Sequence, residues 1–147
     1  MPFEEHPLAK ERRHSAVALV KSLLRESPGL LLEHRREFLR LALWKITEAE
    51  CPGNRKYETR FRSQAVISAS SVAKKLRHDH VFQRGKMVDE LLLAGPEFVE
   101  HILDKAIGCT VTEDEDDRLR AHKDTDGWDR YKKAGITVVD TKTGLLV

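Results

Sequence analysis

Ile107-Gly108-Cys109-Thr110-Val111-Thr112-Glu113-Asp114-Glu115 carries two structural signals that meet at one residue. Ile107 to Thr112 is a strand candidate, and Thr112 followed three positions later by Glu115 is a capping-box signature, so the strand should turn directly into a helix continuing through Leu119. Upstream, His78-Asp79-His80-Val81-Phe82 is short and partly β-prone and reads as an extended segment or strand. Downstream, Ile136-Thr137-Val138-Val139-Asp140 is the clearest strand in the chain. It follows a helical piece around Trp128, Tyr131 and Ala134 that ends at Gly135, and Thr141 to Val147 adds a turn and a short edge strand.

Helical spacing dominates elsewhere. Ala16, Val17, Leu19, Val20, Leu23 and Leu24 follow Ser15, a capping residue, and Ser27-Pro28-Gly29 ends that helix. A longer helix from about Leu30 to Ala49 buries Leu31, Phe38, Leu39, Leu41, Leu43, Trp44 and Ile46, and Cys51-Pro52-Gly53-Asn54 stops it. Intervals of three and four among Phe61, Ala65, Val66, Ala69, Val72, Ala73 and Leu76 predict a third helix over Glu58 to Leu76. Gly85 to Leu93 is a fourth, and Pro96 starts a fifth running through Ala106. Residues 1–13, with Pro2 and Pro7, read as a loose arm. The expected class is mainly α, an α+β arrangement of five to seven helices around two or three short strands, in one domain spanning 1–147.

Hydrophobic residues make up 40% and charged residues 34% of the chain, which suits a folded protein rather than a disordered one. Gly29-Leu30-Leu31-Leu32 is broken by Glu33 and His34, so no membrane span is expected. Met1 to Arg13 contains Glu4, Glu5 and Glu11 and lacks the apolar segment of a secretory signal; a cytoplasmic location is the expectation. Cys51 and Cys109 form no C-x-x-C pair and read as reduced thiols.

The net charge of +2 conceals a strong polarity. Between Asn54 and Lys86 nine basic residues face two acidic ones, whereas between Glu97 and Asp126 ten acidic residues face four basic ones. The basic segment suits phosphate neutralisation, and the acidic one suits a divalent cation or simply the favourable first turn of a helix. Arg55-Lys56-Tyr57-Glu58-Thr59-Arg60-Phe61-Arg62 interleaves aromatics with positive charge. Arg55, Lys56, Arg60, Arg62, Lys74, Lys75 and Arg77 are therefore candidate nucleic-acid contacts, whereas Phe61 is assigned to the core. No Gly-rich phosphate loop, G-x-S-x-G elbow or Cys-His pair at a recognisable spacing occurs, which disfavours nucleotide-dependent enzymes and acyl hydrolases.

Arg77-His78-Asp79-His80-Val81 together with Thr112-Glu113-Asp114-Glu115-Asp116-Asp117-Arg118-Leu119 resembles the HNH, or ββα-metal, nuclease superfamily, in an Asp-His pair followed by a stretch similar to Thr-x-Glu-Glu-His-x-x-Leu. The resemblance covers roughly residues 77–120. It implies that Asp79 is a metal-binding acid, that His80 is the general base taking a proton from the attacking water, and that Asp116 stands where a helix histidine often supplies a further ligand. Mg2+ or Mn2+ suits such an oxygen pair. The function expected on this reading is a nucleic-acid-associated protein with an active or degenerate HNH-like phosphodiesterase core. The alternative is a helical adaptor or inhibitor that binds another protein, or itself through the Leu30 to Ala49 helix.

Overall fold

The computed structural model describes residues 3–25, 29–53, 56–68 and 75–147. In chain order its elements are α1 (Ala9–Leu24), α2 (Leu32–Glu48), β1 (Phe61–Ser63), α3 (Gln64–Ser68), β2 (Leu76–His80), α4 (Arg84–Leu93), a 3-10 turn (Pro96–Phe98) leading into α5 (Val99–Leu103), β3 (Gly108–Thr112), α6 (Glu113–Arg120), α7 (Trp128–Lys133), β4 (Val138–Asp140) and β5 (Leu145–Leu146). The class is α+β, but the sheet has five strands rather than two or three, in the order β2-β3-β1-β4-β5.

The additional central strand lies where a helix over Glu58 to Leu76 was expected. Phe61-Arg62-Ser63 is β1, paired in parallel with β3 (Phe61 opposite Cys109) and antiparallel with β4 (Ser63 opposite Val138). Helical periodicity loses here to tertiary pairing: strands on both sides satisfy the backbone of β1, and only Gln64 to Ser68 turns helical. Of the rest of that expected helix, positions 69–74 lie outside the described residues, and Leu76 opens β2 instead.

The Thr112 junction forms as the sequence implies. Thr112 Oγ1 accepts from the Glu115 N–H at 3.3 Å, and Glu115 Oε2 accepts from the Thr112 N–H at 2.9 Å. Glu115 is 4% exposed. Its Oε2 also accepts from Ser63 Oγ at 2.6 Å, which fastens the end of β1 to the start of α6.

Two other expectations are corrected. α1 begins at Ala9 rather than Ser15, so part of the anticipated arm is helix; its preceding residues are also tied down, with His6 N donating to Glu50 O at 3.0 Å. α2 buries Leu39, Ala42, Leu43 and Ile46, while Leu31, Phe38 and Leu41 are about half exposed. Apolar residues run around more of α2 than one packing face can cover, so spacing alone selects the wrong members.

Side chains pack in two clusters. Val20, Leu39, Leu43, Val88, Leu91 and Leu103 join α1, α2, α4 and α5. Val81, Cys109, Val111, Leu119, Tyr131 and Val138 fill the space between the sheet and the α6/α7 layer. Phe82 packs against both. No helix among the described residues is long and apolar enough to cross a membrane.

Candidate nucleic-acid interface

Strand geometry divides His78-Asp79-His80. Successive side chains on β2 point to opposite faces, so Arg77 and Asp79 lie on the α6/α7 side, and Leu76, His78 and His80 lie on the α2 side. β2 pairs antiparallel with β3 over its whole length, from Leu76 opposite Thr112 to His80 opposite Gly108, and α6 follows β3 directly.

On the first face, Arg130 Nη2 donates to Asp79 Oδ2 at 2.6 Å and the Tyr131 hydroxyl donates to the same oxygen. The same nitrogen donates to the His80 and Val81 carbonyls at 2.7 and 3.3 Å. Arg130 is 5% exposed. Burial raises the Asp79 carboxyl above its usual range, Arg130 and the Tyr131 hydrogen bond oppose the rise, and the charge of Asp116 adds to it. Asp116 of α6 therefore lies on the same side of the sheet as Asp79. Each already holds a guanidinium, Asp116 through Arg120 at 2.7 Å. Among the described residues no group of three His, Cys, Asp or Glu side chains is placed to hold a metal ion.

On the opposite face, Trp44 of α2 stacks on His78 with ring centroids 5.0 Å apart and lies 5.1 Å from His80. Thr47, one turn further along α2, places Oγ1 3.1 Å from His78 Nε2 and 3.5 Å from His80 Nε2. His78 Nδ1 donates to the Lys56 carbonyl at 2.7 Å. Gly108 makes room for this arrangement: a Cβ there would stand 2.7 Å from His78 Cε1. Burial depresses the His78 pKa, against the hydrogen bond to Lys56 and the nearby Glu48 carboxylate. His80 is pushed down to about 2 by burial, then by His78, Arg84 and Arg130. Both imidazoles are thus neutral at physiological pH.

Cations collect around the same tryptophan. The Arg84 guanidinium lies 5.0 Å and the Lys56 ammonium 6.0 Å from the Trp44 ring. Arg84 also donates to the Arg40 carbonyl at 3.3 Å, and the Arg40 guanidinium lies over Gly85, where a Cβ would be 3.4 Å away. Burial and the charge of Arg40 both lower the Arg84 pKa. Lys86, two residues on, donates to the Lys123 carbonyl at 3.2 Å. No family model, curated protein or solved structure matches this chain.

The basic segment is sorted by its neighbours. Arg60 is paired with Asp140 at 2.6 Å, and Arg77 and Lys75 both reach Glu113, Lys75 at 3.8 Å. Arg62 Nε donates to the Thr59 carbonyl at 2.9 Å. Arg55 and Lys74 lie outside the described residues. Of the cations expected to meet phosphate, Lys56 joins a group completed by Arg84 and Arg40, and none of these three has a carboxylate partner among the described residues. Sequence reasoning missed Trp44, Thr47, Arg40 and Arg84 because the cluster draws on α2, α4 and β2 at once. The available signal was the period of two in His78-Asp79-His80, which sends both histidines one way.

Proposed function

We propose that this chain binds the phosphate backbone of nucleic acid on the face formed by Arg40, Lys56 and Arg84. The observation carrying this reading is that the Arg84 guanidinium and the Lys56 ammonium lie at Trp44, with Arg40 beside Arg84, and that none of the three has a carboxylate partner among the described residues. Like charges so placed repel one another, and an arriving phosphate turns that repulsion into attraction. By contrast, Arg60, Lys75, Arg77, Arg120 and Arg130 are already neutralised by acids. The HNH-like sequence features enter this proposal as a scaffold, a paired β2 and β3 followed by α6. Asp79 serves in it as the internal counter-ion of Arg130, with no step assigned to a metal.

The test is fluorescence anisotropy of a labelled single-stranded oligonucleotide titrated at several salt concentrations. Affinity should fall linearly on logarithmic axes, and Arg40→Ala or Arg84→Ala should each reduce the slope by about one. Arg120→Ala, on the far side of the sheet, should leave the slope unchanged. Salt-insensitive binding, or equal effects from all three variants, would remove the proposal.

A second reading, a protein-binding module, is favoured by a separate observation. Phe38 and Leu41 on α2 are about half exposed, and the neighbouring Lys45 lines a shallow groove with Leu8 and Leu19 of the α1 region. A concentration-dependent mass in light scattering that Phe38→Ser abolishes would support it.

A further inference from the structure

We infer that the Trp44 face prefers RNA to DNA, with the unprotonated Nδ1 of His80 accepting a hydrogen bond from a ribose 2′-hydroxyl beside a bound phosphate. This rests on the phosphate-binding reading and names its substrate class.

Proton bookkeeping within the cluster fixes the direction of His80. The Lys56 carbonyl has no proton to give, so His78 carries its proton on Nδ1. Thr47 has one hydroxyl proton, and the Trp44 carbonyl at 2.7 Å is its nearest acceptor, ahead of His78 Nε2 at 3.1 Å and His80 Nε2 at 3.5 Å. With that proton directed to the Trp44 carbonyl, the Thr47 oxygen meets His80 as an acceptor. The His80 proton therefore sits on Nε2, pointing to Thr47 at 3.5 Å, and the lone pair is left on Nδ1. Nδ1 takes no hydrogen bond from the described residues. Among the described residues the buried polar side-chain atoms without a partner are the Nε atoms of Arg35 and Arg130; His80 Nδ1 is not one of them, and His80 is only partly buried.

The consequence concerns recognition. Lys56, Arg40 and Arg84 supply only donors, which satisfy phosphate oxygens and cannot tell RNA from DNA. The His80 ring that carries the acceptor lies 5.1 Å from the Trp44 ring, and the Arg84 guanidinium lies 5.0 Å from that same tryptophan. The donor nearest to a backbone phosphate is the 2′-hydroxyl, which DNA lacks. Protonation would convert this acceptor into another donor, and the enclosing Trp44, the neighbouring His78, and the positive Arg84 and Arg130 all work against that conversion. Glu48, which accepts from the Trp44 indole N–H and pairs with Lys45, is the acidic group nearest the cluster.

The experiment compares one sequence as single-stranded RNA, as DNA, and as 2′-fluoro RNA, whose sugar pucker is RNA-like but whose 2′ position cannot donate. The full chain should bind RNA about three- to tenfold more tightly than either of the others, the worth of one hydrogen bond. His80→Phe, which keeps an aromatic ring beside Trp44 and removes the acceptor, should equalise the three while leaving the salt slope intact. Equal binding of RNA and 2′-fluoro RNA by the unaltered chain overturns the inference without recourse to any variant. So does a preference that survives in His80→Phe with a native circular dichroism spectrum. Salt-dependent binding without discrimination would refute this inference alone; no salt-dependent binding to any of the three would refute the phosphate-binding reading as well.

Discussion

Replacing Arg130 with methionine removes the positive half of a buried ion pair while retaining most of its volume. In the native chain one guanidinium nitrogen serves Asp79 Oδ2 at 2.6 Å, the His80 carbonyl at 2.7 Å and the Val81 carbonyl at 3.3 Å, and Arg130 itself is 5% exposed. After substitution the Asp79 carboxylate keeps only the Tyr131 hydroxyl. Breaking one side of a buried pair costs about 3–5 kcal/mol, because the remaining charge stays out of water without compensation. For a chain of 147 residues this corresponds to a fall in Tm of roughly 10 °C. The loss should depend on pH with a definite sign. Burial already lifts the Asp79 pKa above its ordinary 3.8, and Arg130 holds it down. Without Arg130 the native state retains a proton at pH values where the unfolded chain has released it, so stability falls as pH rises from 3.8 through the higher native value. Urea unfolding followed by circular dichroism should therefore show a deficit that is full at pH 8 and smaller near pH 5. Asp79→Asn combined with Arg130→Met should recover a large part of it. A deficit below about 1 kcal/mol, one independent of pH, or a double variant no more stable than the single one would refute this account of the pair.

The Arg60–Asp140 pair titrates in the opposite sense. Its hydrogen bonds hold Asp140 down to about 2, so the stability it adds is present above pH 3.8 and is lost as pH falls towards 2; the gap between the native chain and Asp140→Asn, measured by urea midpoints, should close on acidification. At the strand-to-helix junction, Thr112→Ala should cost about 1 kcal/mol as the loss of a helix cap. Glu115→Ala should cost more, about 2–4 kcal/mol, because three donors from Ser63 and Thr112 lose a buried acceptor. Gly108→Ala brings a methyl group to 2.7 Å from His78 Cε1; displacement of that ring should alter Trp44 fluorescence and destabilise the chain by about 1–3 kcal/mol in thermal melts.

Elements fixed by local chemistry were legible in the sequence. The Thr112/Glu115 box, α4 and β3 lie where nearby residues put them, because caps and breakers act within a few positions. β1 was not legible, since Phe61 is a strand residue only by virtue of Cys109 and Asp140, both far along the chain. The outward position of Phe38 and Leu41 was hidden for a related reason: which side of an amply apolar helix is covered depends on what packs against it. At the candidate site, the alternation that unites His78 with His80 also separates both from Asp79, and that much follows from the period of a strand. The charges that remain unpaired could not be read, because Glu113 and Asp140 select their partners through the fold.

β1 stands in the middle of the sheet although both of its neighbours are made later. As the chain leaves the ribosome, Phe61-Arg62-Ser63 has no strand beside it until Cys109 and Thr110 emerge, and its other edge stays open until Val138 to Asp140 follow. Closing such distant pairs is slow. For most of its synthesis the nascent polypeptide therefore carries an unsealed backbone edge, a stage at which trigger-type chaperones or premature β-aggregation have their opening. Loss of the last ten residues would leave that edge permanently bare.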